Sequence, residues 1–441
     1  MKFGIKGFYK VELHKAVLDE HGDQVYDEGG HALAVPNTGR VVCDWFPNVF
    51  LNSGRNEIAL RGNWAWTGAW CQVGTNNTPP NPSQTGLLGR VAASNSPPND
   101  QTDVSGAEST VPYYGWTRQT YRIPAGPIGN QNLNEVGIGW SDGTVTDDLV
   151  SRVLFVDALG DTTTIVPQVD EILDVTYEMR YYPPLGDVAG TVTLDSLVYD
   201  TLTRAANVTS DQYWGGIGGS QVLGTIGSLH FAAYAGAIGT VEQSPSGLSD
   251  DLSGTVSNST YGNNDYYIDT TAFCGIDGWN PVGEIRCVVC TGNYGRYQTQ
   301  FTAQIGAGPV PKTAAQSMSL TWRISWAGWL WDGSWIRSAD DDVSGPGLQT
   351  FNTDTTQTLL RINWTDQDAA NRREALKVPD GTTFHVQYDS DPAIWAEFTM
   401  DVATSWAEGA SWTEYTVTET ATGPGGAPGT GNICTIRALT P

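Results

Sequence analysis

Two stretches of this chain, about 145 residues apart, repeat one pattern, and that recurrence limits what the chain can fold into. The first holds Ser151-Arg-Val-Leu-Phe155 and then Thr176-Tyr-Glu-Met-Arg-Tyr181. The second holds Tyr297-Gln-Thr-Gln-Phe301 and then Thr321-Trp-Arg-Ile-Ser-Trp326. Phe155 matches Phe301, Tyr177 matches Trp322, Met179 matches Ile324 and Tyr181 matches Trp326. Each stretch is two strand-like runs joined by a polar segment containing proline. A repeated β unit predicts duplicated domains, and a protein made for architecture and surface more than for one deep catalytic pocket.

The rest of the chain agrees with strands. Short aromatic and β-branched runs alternate with turn residues, among them 51 Gly and 23 Pro in 441 residues. Such a length holds two to four domains, each able to bury a core. The expected fold is therefore all-β, with tandem β-sandwiches of jelly-roll or immunoglobulin-like type and a small C-terminal β domain. Boundaries are expected at 1–184, 185–343 and 344–441, the middle unit being a divergent repeat of the first. One short helix is expected over Asp366 to Leu376, in the last domain. Asp332-Gly333, between Trp329-Leu-Trp and Ser-Trp-Ile336, predicts a two-residue hairpin pairing Leu330 with Trp335.

The formal charge is −25, and lysine occurs only six times. That surface repels phosphate backbones and anionic bilayers, which excludes nucleic-acid binding and disfavours membrane association. No apolar run approaches the length needed to span a bilayer. The N-terminal MKFGIKGFYKVELHKAVLDEHG reads as a strand, not a secretion signal, so folding in a cytoplasm is expected.

Motifs for chemistry are sparse. The chain has no GxxxxGK[ST] loop, no GxGxxG run, no GxSxG elbow and no HExxH. Cys287-Val-Val-Cys290 has CxxC spacing, but on a strand those two positions face opposite sides, so all six cysteines are read as buried free thiols. The carboxylate clusters Asp147-Asp148, Asp250-Asp251 and Asp340-Asp341-Asp342 read first as solvated turn residues. A Ca²⁺ site is most plausible at Asp340, Asp341 and Asp342, because hard cations favour clustered loop oxygens, and no other cofactor is expected. Trp64, Trp66 and Trp70 share one strand face and read as core. Trp329, Trp331 and Trp335 carry two readings, core or intersubunit packing on one hand and contact with a receptor or sugar on the other.

Four motifs in one order resemble tailed-bacteriophage tail proteins of the tail-fibre, tail-tip or receptor-binding kind. They are Phe46-Pro-Asn-Val-Phe-Leu-Asn-Ser-Gly54; Trp70-Cys-Gln-Val-Gly-Thr75 with its Asn-Thr-Pro tail; Asn132-Leu-Asn-Glu-Val-Gly-Ile-Gly-Trp140; and the run from Glu171 to Pro184. Val386-Gln-Tyr-Asp-Ser-Asp-Pro-Ala-Ile-Trp-Ala-Glu-Phe398, with the later Gly-rich loop and Cys434-Thr-Ile, resembles a small β module at the ends of phage tail fibres. The resemblance covers about residues 40–184 and 357–441 and brings no catalytic residues. It implies a non-enzymatic virion protein, assembled in the host cytoplasm as a homotrimer. Its partners would be other tail proteins and a bacterial surface receptor: a pilus, a glycan or an outer-membrane protein. Two other readings stand beside it: a purely architectural baseplate, collar or head-decoration protein, and a tailspike-like glycan depolymerase, which would show a parallel β-helix rhythm that this chain lacks.

Overall fold

The computed structural model describes the chain apart from residues 1, 62–68, 99–103, 111–112, 145–148, 185–186, 195, 215–229, 252–253, 263–264, 293–294, 305–308, 338–349, 354–358, 364–381, 389–393, 401–406, 409–411, 423–425, 431–432 and 440–441. The expected short helix at 366–376 lies outside the described residues.

Strands dominate, as the alternation of aromatic and β-branched residues with turn residues requires. They form one large central sheet, two side sheets of five and six strands, and a two-stranded ribbon. The side sheets repeat one strand order. In the first, Val49–Phe50 is followed across the sheet by Leu149–Leu154, Glu135–Gly139, Trp70–Gly74 and Arg90–Ser94. In the second, Leu197–Ala205 is followed by Gly295–Ala303, Cys287–Gly292, His230–Tyr234 and Ser249–Asp251, with Val188–Leu194 added outside. Each side sheet touches the central sheet through polar and aromatic contacts. The Tyr9 hydroxyl lies 2.7 Å from Ser151 Oγ, and Trp322 Nε1 donates to Thr299 Oγ1 at 3.1 Å.

The central sheet carries the duplication further. The hairpin Val104–Ala107 with Gly115–Ile123 pairs with Glu171–Tyr182. The hairpin Gly254–Asn258 with Tyr267–Cys274 pairs in the same way with Met318–Arg337. The first strand, Lys2–Lys15, lies between these halves. It runs antiparallel to Glu171–Tyr182 over its length and parallel to residues Ser325–Gly328 near its start. Phe3 therefore sits between two equivalent rings, with centroids 6.4 Å from Tyr181 and 6.2 Å from Trp326. All four matched pairs of the sequence repeat are buried. One continuous core runs from Phe3 to Trp326, and a second gathers residues from Phe351 to Ala438.

Three local readings change. Asp332-Gly333 makes no hairpin: Met318–Arg337 is one strand, and Asp332 and Gly333 pair with Arg437 and Ile436. Trp335 faces Cys434 across the ladder instead of Leu330. Pairing along the whole C-terminal strand Ile433–Leu439 outweighs a two-residue turn preference. The second change is a helix, Asn52–Arg61, where the sequence shows no apolar periodicity. It is held from outside. Ser53 donates to the Leu149 carbonyl, and a Cβ on Gly54 would come 2.4 Å from the Val150 carbonyl oxygen, so only glycine allows this approach. Aromatic side chains of the second unit cover the helix: Trp326 Nε1 donates to the Arg55 carbonyl at 2.9 Å, the Arg55 guanidinium stacks 3.6 Å from the Tyr266 ring centroid, and Tyr261 donates to Asn56 Oδ1 at 2.6 Å. The third change is at Asp250-Asp251, which lie on the edge strand Ser249–Asp251 and not in a turn. Carboxylates there deter pairing with another chain.

Candidate functional site

Residues pointing away from the core on the central sheet form the first candidate surface. Along Lys2–Lys15 the odd positions Phe3, Ile5, Tyr9, Val11 and Leu13 are buried in the core, which turns Lys6, Phe8, Lys10, Glu12 and His14 to the opposite face, where Lys6 is buried and the others are half-buried. The neighbouring strands turn out Glu178, Arg180, Trp116, Arg118 and Arg122. Arg118 Nε donates to Glu178 Oε2 at 2.9 Å, and its guanidinium lies 5.0 Å from the Trp116 ring centroid and 4.9 Å from that of Trp45. Arg180 Nε donates to Glu178 Oε1 at 2.6 Å while its guanidinium stacks on Phe8 and Tyr114. Arg122 pairs with Asp174 through two nitrogens.

The second unit holds the same constellation with the charges exchanged. By register, Trp116, Arg118 and Glu178 correspond to Tyr267, Asp269 and Arg323. Arg323 Nε donates to Asp269 Oδ1 at 2.7 Å, and the guanidinium lies 3.8 Å from the Tyr267 ring centroid. Two residues further along each ladder, the Thr120–Thr176 hydroxyl pair at 2.9 Å recurs as Thr271–Thr321 at 2.8 Å. The Arg323 guanidinium beside Asp269 holds that carboxyl below its ordinary range.

A pair of long loops forms the second candidate surface. Each joins the fourth and fifth strands of the side-sheet series, 75–89 in the first unit and 235–248 in the second. Each is clasped by one fully buried polar residue at a matched position of the repeat. Arg152 donates to Glu135 at 2.7 Å, to Gln84 Oε1 at 2.9 Å and to the Thr78 carbonyl at 2.8 Å. Gln298 Nε2 donates to the Gly239 and Thr240 carbonyls at 3.1 and 2.9 Å, while its Oε1 accepts from Gly239 N at 2.8 Å. Glu135 also receives Gly89 N at 2.8 Å, so both ends of the first loop are tied to the sheet. The Asn- and Pro-rich composition of Thr75 to Pro82 suggests a floppy segment; the clasp gives it a fixed course.

The residues singled out in the sequence are placed as follows. Trp329, Trp331 and Trp335 belong to the strand Met318–Arg337, where Trp329, Trp331 and Trp335 face Leu439, Ala438 and Cys434. Asp340, Asp341, Asp342, Asp147, Asp148, Trp64 and Trp66 lie outside the described residues; Trp70 is half-buried. The six cysteines are free and buried, and burial pushes the thiols of Cys287 and Cys290 up to about 12. Among the described residues no group of three or more His, Cys, Asp or Glu could hold a metal ion, and no helix is long and apolar enough to cross a membrane. The sequence pointed to neither Arg152 nor Gln298; the available signal was their shared position, Ser151-Arg against Tyr297-Gln, inside the repeat already recognised.

No family model matches the chain, and neither the curated proteins nor the solved structures give a match.

Proposed function

We propose that this chain is a non-enzymatic structural component of a bacteriophage tail tip, baseplate or fibre, assembled as a homotrimer in the virion and contributing to attachment to a bacterial surface receptor. The observation that carries this reading is the paired loop clasp. Two equivalent long polar loops are each fixed to a duplicated β scaffold by a buried polar side chain, Arg152 in one and Gln298 in the other. Variable recognition loops on rigid sheets are a common way to present a binding surface. The ordered run of tail-protein-like motifs between Phe46 and Pro184 supports the same reading. Many weak copies acting together would supply the affinity.

The test is competition for adsorption. Host cells pre-incubated with purified chain should take up fewer particles, in proportion to the protein added. Full adsorption at saturating protein would favour the architectural alternative, in which another chain contacts the receptor.

A further inference from the structure

The six-stranded side sheet ends on a strand that the five-stranded one lacks. Val188–Leu194 pairs with Leu197–Ala205 on one side, and no described strand joins its other side. Its sequence, Val-Ala-Gly-Thr-Val-Thr-Leu, holds no charge and no proline. Every other edge strand described is shorter or carries charged residues. The opposite edge of this same sheet is Ser249-Asp-Asp251. Sheets guard their margins with charge, proline or brevity, and here that guard is missing. Leu194 and Leu197 are a ladder pair with only two residues between them, so they exchange both their hydrogen bonds with each other. The alternation then commits Val188, Gly190 and Val192 to the hairpin and aims the N–H and C=O of Ala189, Thr191 and Thr193 away from it. Those three residues are exposed. Val192 and Leu194 pack on the core, yet Val188 on the same face is 47% exposed and Leu197, opposite Leu194, is 52% exposed. The apolar side of the sheet therefore stays open at this margin.

We infer that this edge is a seam between two copies of this chain, each adding its Val188–Leu194 antiparallel to the other's about a two-fold axis. Three features of the strand select this occupant. The first is register. Thr191 opposite Thr191, with Ala189 opposite Thr193 on either side, overlaps the full strand and matches outward groups only with outward groups, giving about six hydrogen bonds. The second is apolar fit. That register sets Val188 of each copy opposite Leu194 of the other on the core-facing side, where Val188 is uncovered, and a slip of one residue would lose the match. The third is charge. Copies at −25 repel, and along these seven residues no charge faces another. Asp187, just before the strand, is already paired with Arg204. Seven residues at about 3.3 Å each make a seam about 23 Å long. It buries less than the roughly 800 Å² per partner of a standard interface, so the contact is weak and depends on high local copy number. The inference does not rest on the attachment role; beside a three-fold axis the same seam joins two trimers.

The test is the mass of the full chain against concentration, by light scattering or sedimentation, for the wild type and three variants. Thr191→Pro removes an outward N–H and leaves the hairpin's own ladder intact. Thr191→Lys and Thr191→Glu each set like charges opposite one another across the two-fold axis. At high concentration the wild type should reach twice the mass of Thr191→Pro. It should do so at low salt and at about 1 M salt alike, because backbone bonds and apolar contact are not screened. The Lys and Glu variants should each keep the smaller mass, and an equimolar mixture of the two should regain the doubled one. All three should melt at the wild-type temperature; if the proline unfolds the hairpin, the Lys and Glu pair still decides the question. Amide exchange across 188–194 should be slow in the doubled wild type and fast in Thr191→Pro. Doubling by either charged variant alone, or fast exchange across 188–194 in the doubled species, would overturn the inference. So would a wild type that holds the smaller mass at every concentration, which would leave the edge to a strand of another protein.

Discussion

Arg323 lies across the ladder from Asp269 with its Nε 2.7 Å from Oδ1, and the first unit holds the same pair with the signs exchanged, as Glu178 and Arg118. The geometry of the pair has survived while its polarity has not. What duplication preserves here is a cross-strand attraction, which is indifferent to which strand carries the cation. The surroundings do differ. Glu178 is buried beneath two arginines, whereas Arg323 is more than half exposed.

That difference sets a first prediction. Exchanging the exposed pair, Asp269→Arg with Arg323→Asp, should leave the melting temperature unchanged. Arg118→Ala should lower stability by about 1–3 kcal/mol, because Glu178 loses one of two partners while still buried. Chemical denaturation of both variants reads the contrast directly; equal losses would show that burial of Glu178 does not matter.

Arg152 is the stronger case. Arg152→Met leaves Glu135 buried without its cation and releases the Thr78 carbonyl, so the expected loss is about 3–5 kcal/mol. Gln298→Leu removes a neutral clasp and should cost about 1–3 kcal/mol. In both variants limited proteolysis should cut within the released loop, 75–89 or 235–248, before it cuts elsewhere.

Alkaline pH should weaken the fold. Burial pushes the thiols of Cys287 and Cys290 up from an ordinary 9.0 to about 12, and that of Cys43 to about 11. The folded chain keeps protons that the unfolded chain releases, so this contribution is whole below pH 9 and disappears as pH climbs toward 12. Urea midpoints at pH 8 and above pH 10 check the sign. In the native state the thiols should resist a thiol reagent at pH 8 and react fully once urea is added.

Trp331→Ala separates contact from packing on the strand that joins the two cores. If this residue meets a receptor, the variant should compete poorly for particle adsorption at an unchanged melting temperature. A fall in melting temperature of several degrees would assign the ring to packing instead.

Much of this architecture was legible from a few residues. Tyr177 and Trp322, or Met179 and Ile324, repeat because each faces the same core from the same strand, and a period-2 pattern records that plainly. The same alternation puts Cys287 and Cys290 on opposite faces of their strand, and both are buried because both faces are covered. Other features were invisible for physical reasons. The helix Asn52–Arg61 has weak intrinsic preference, and contacts from Tyr261, Tyr266 and Trp326, more than two hundred residues away, hold it. Asp332-Gly333 carries a strong local turn preference that the distant strand Ile433–Leu439 overrides. The clasps were missed because a lone Arg or Gln among strand residues looks the same whether it faces solvent or a loop.

The placement of Lys2–Lys15 between the two halves bears on how the molecule is made. During vectorial synthesis this segment leaves the ribosome well ahead of its partners at Ser325–Gly328, which emerge more than three hundred residues later. Until then the stretch Lys2–Ile5 lacks its ladder on that flank, the rest of which pairs with Arg40–Pro47, and an open flank invites pairing with neighbouring nascent chains. Maturation should therefore be slow and late, with chaperone dependence concentrated in the interval before residue 318 is translated, and a chain truncated there should accumulate as aggregate.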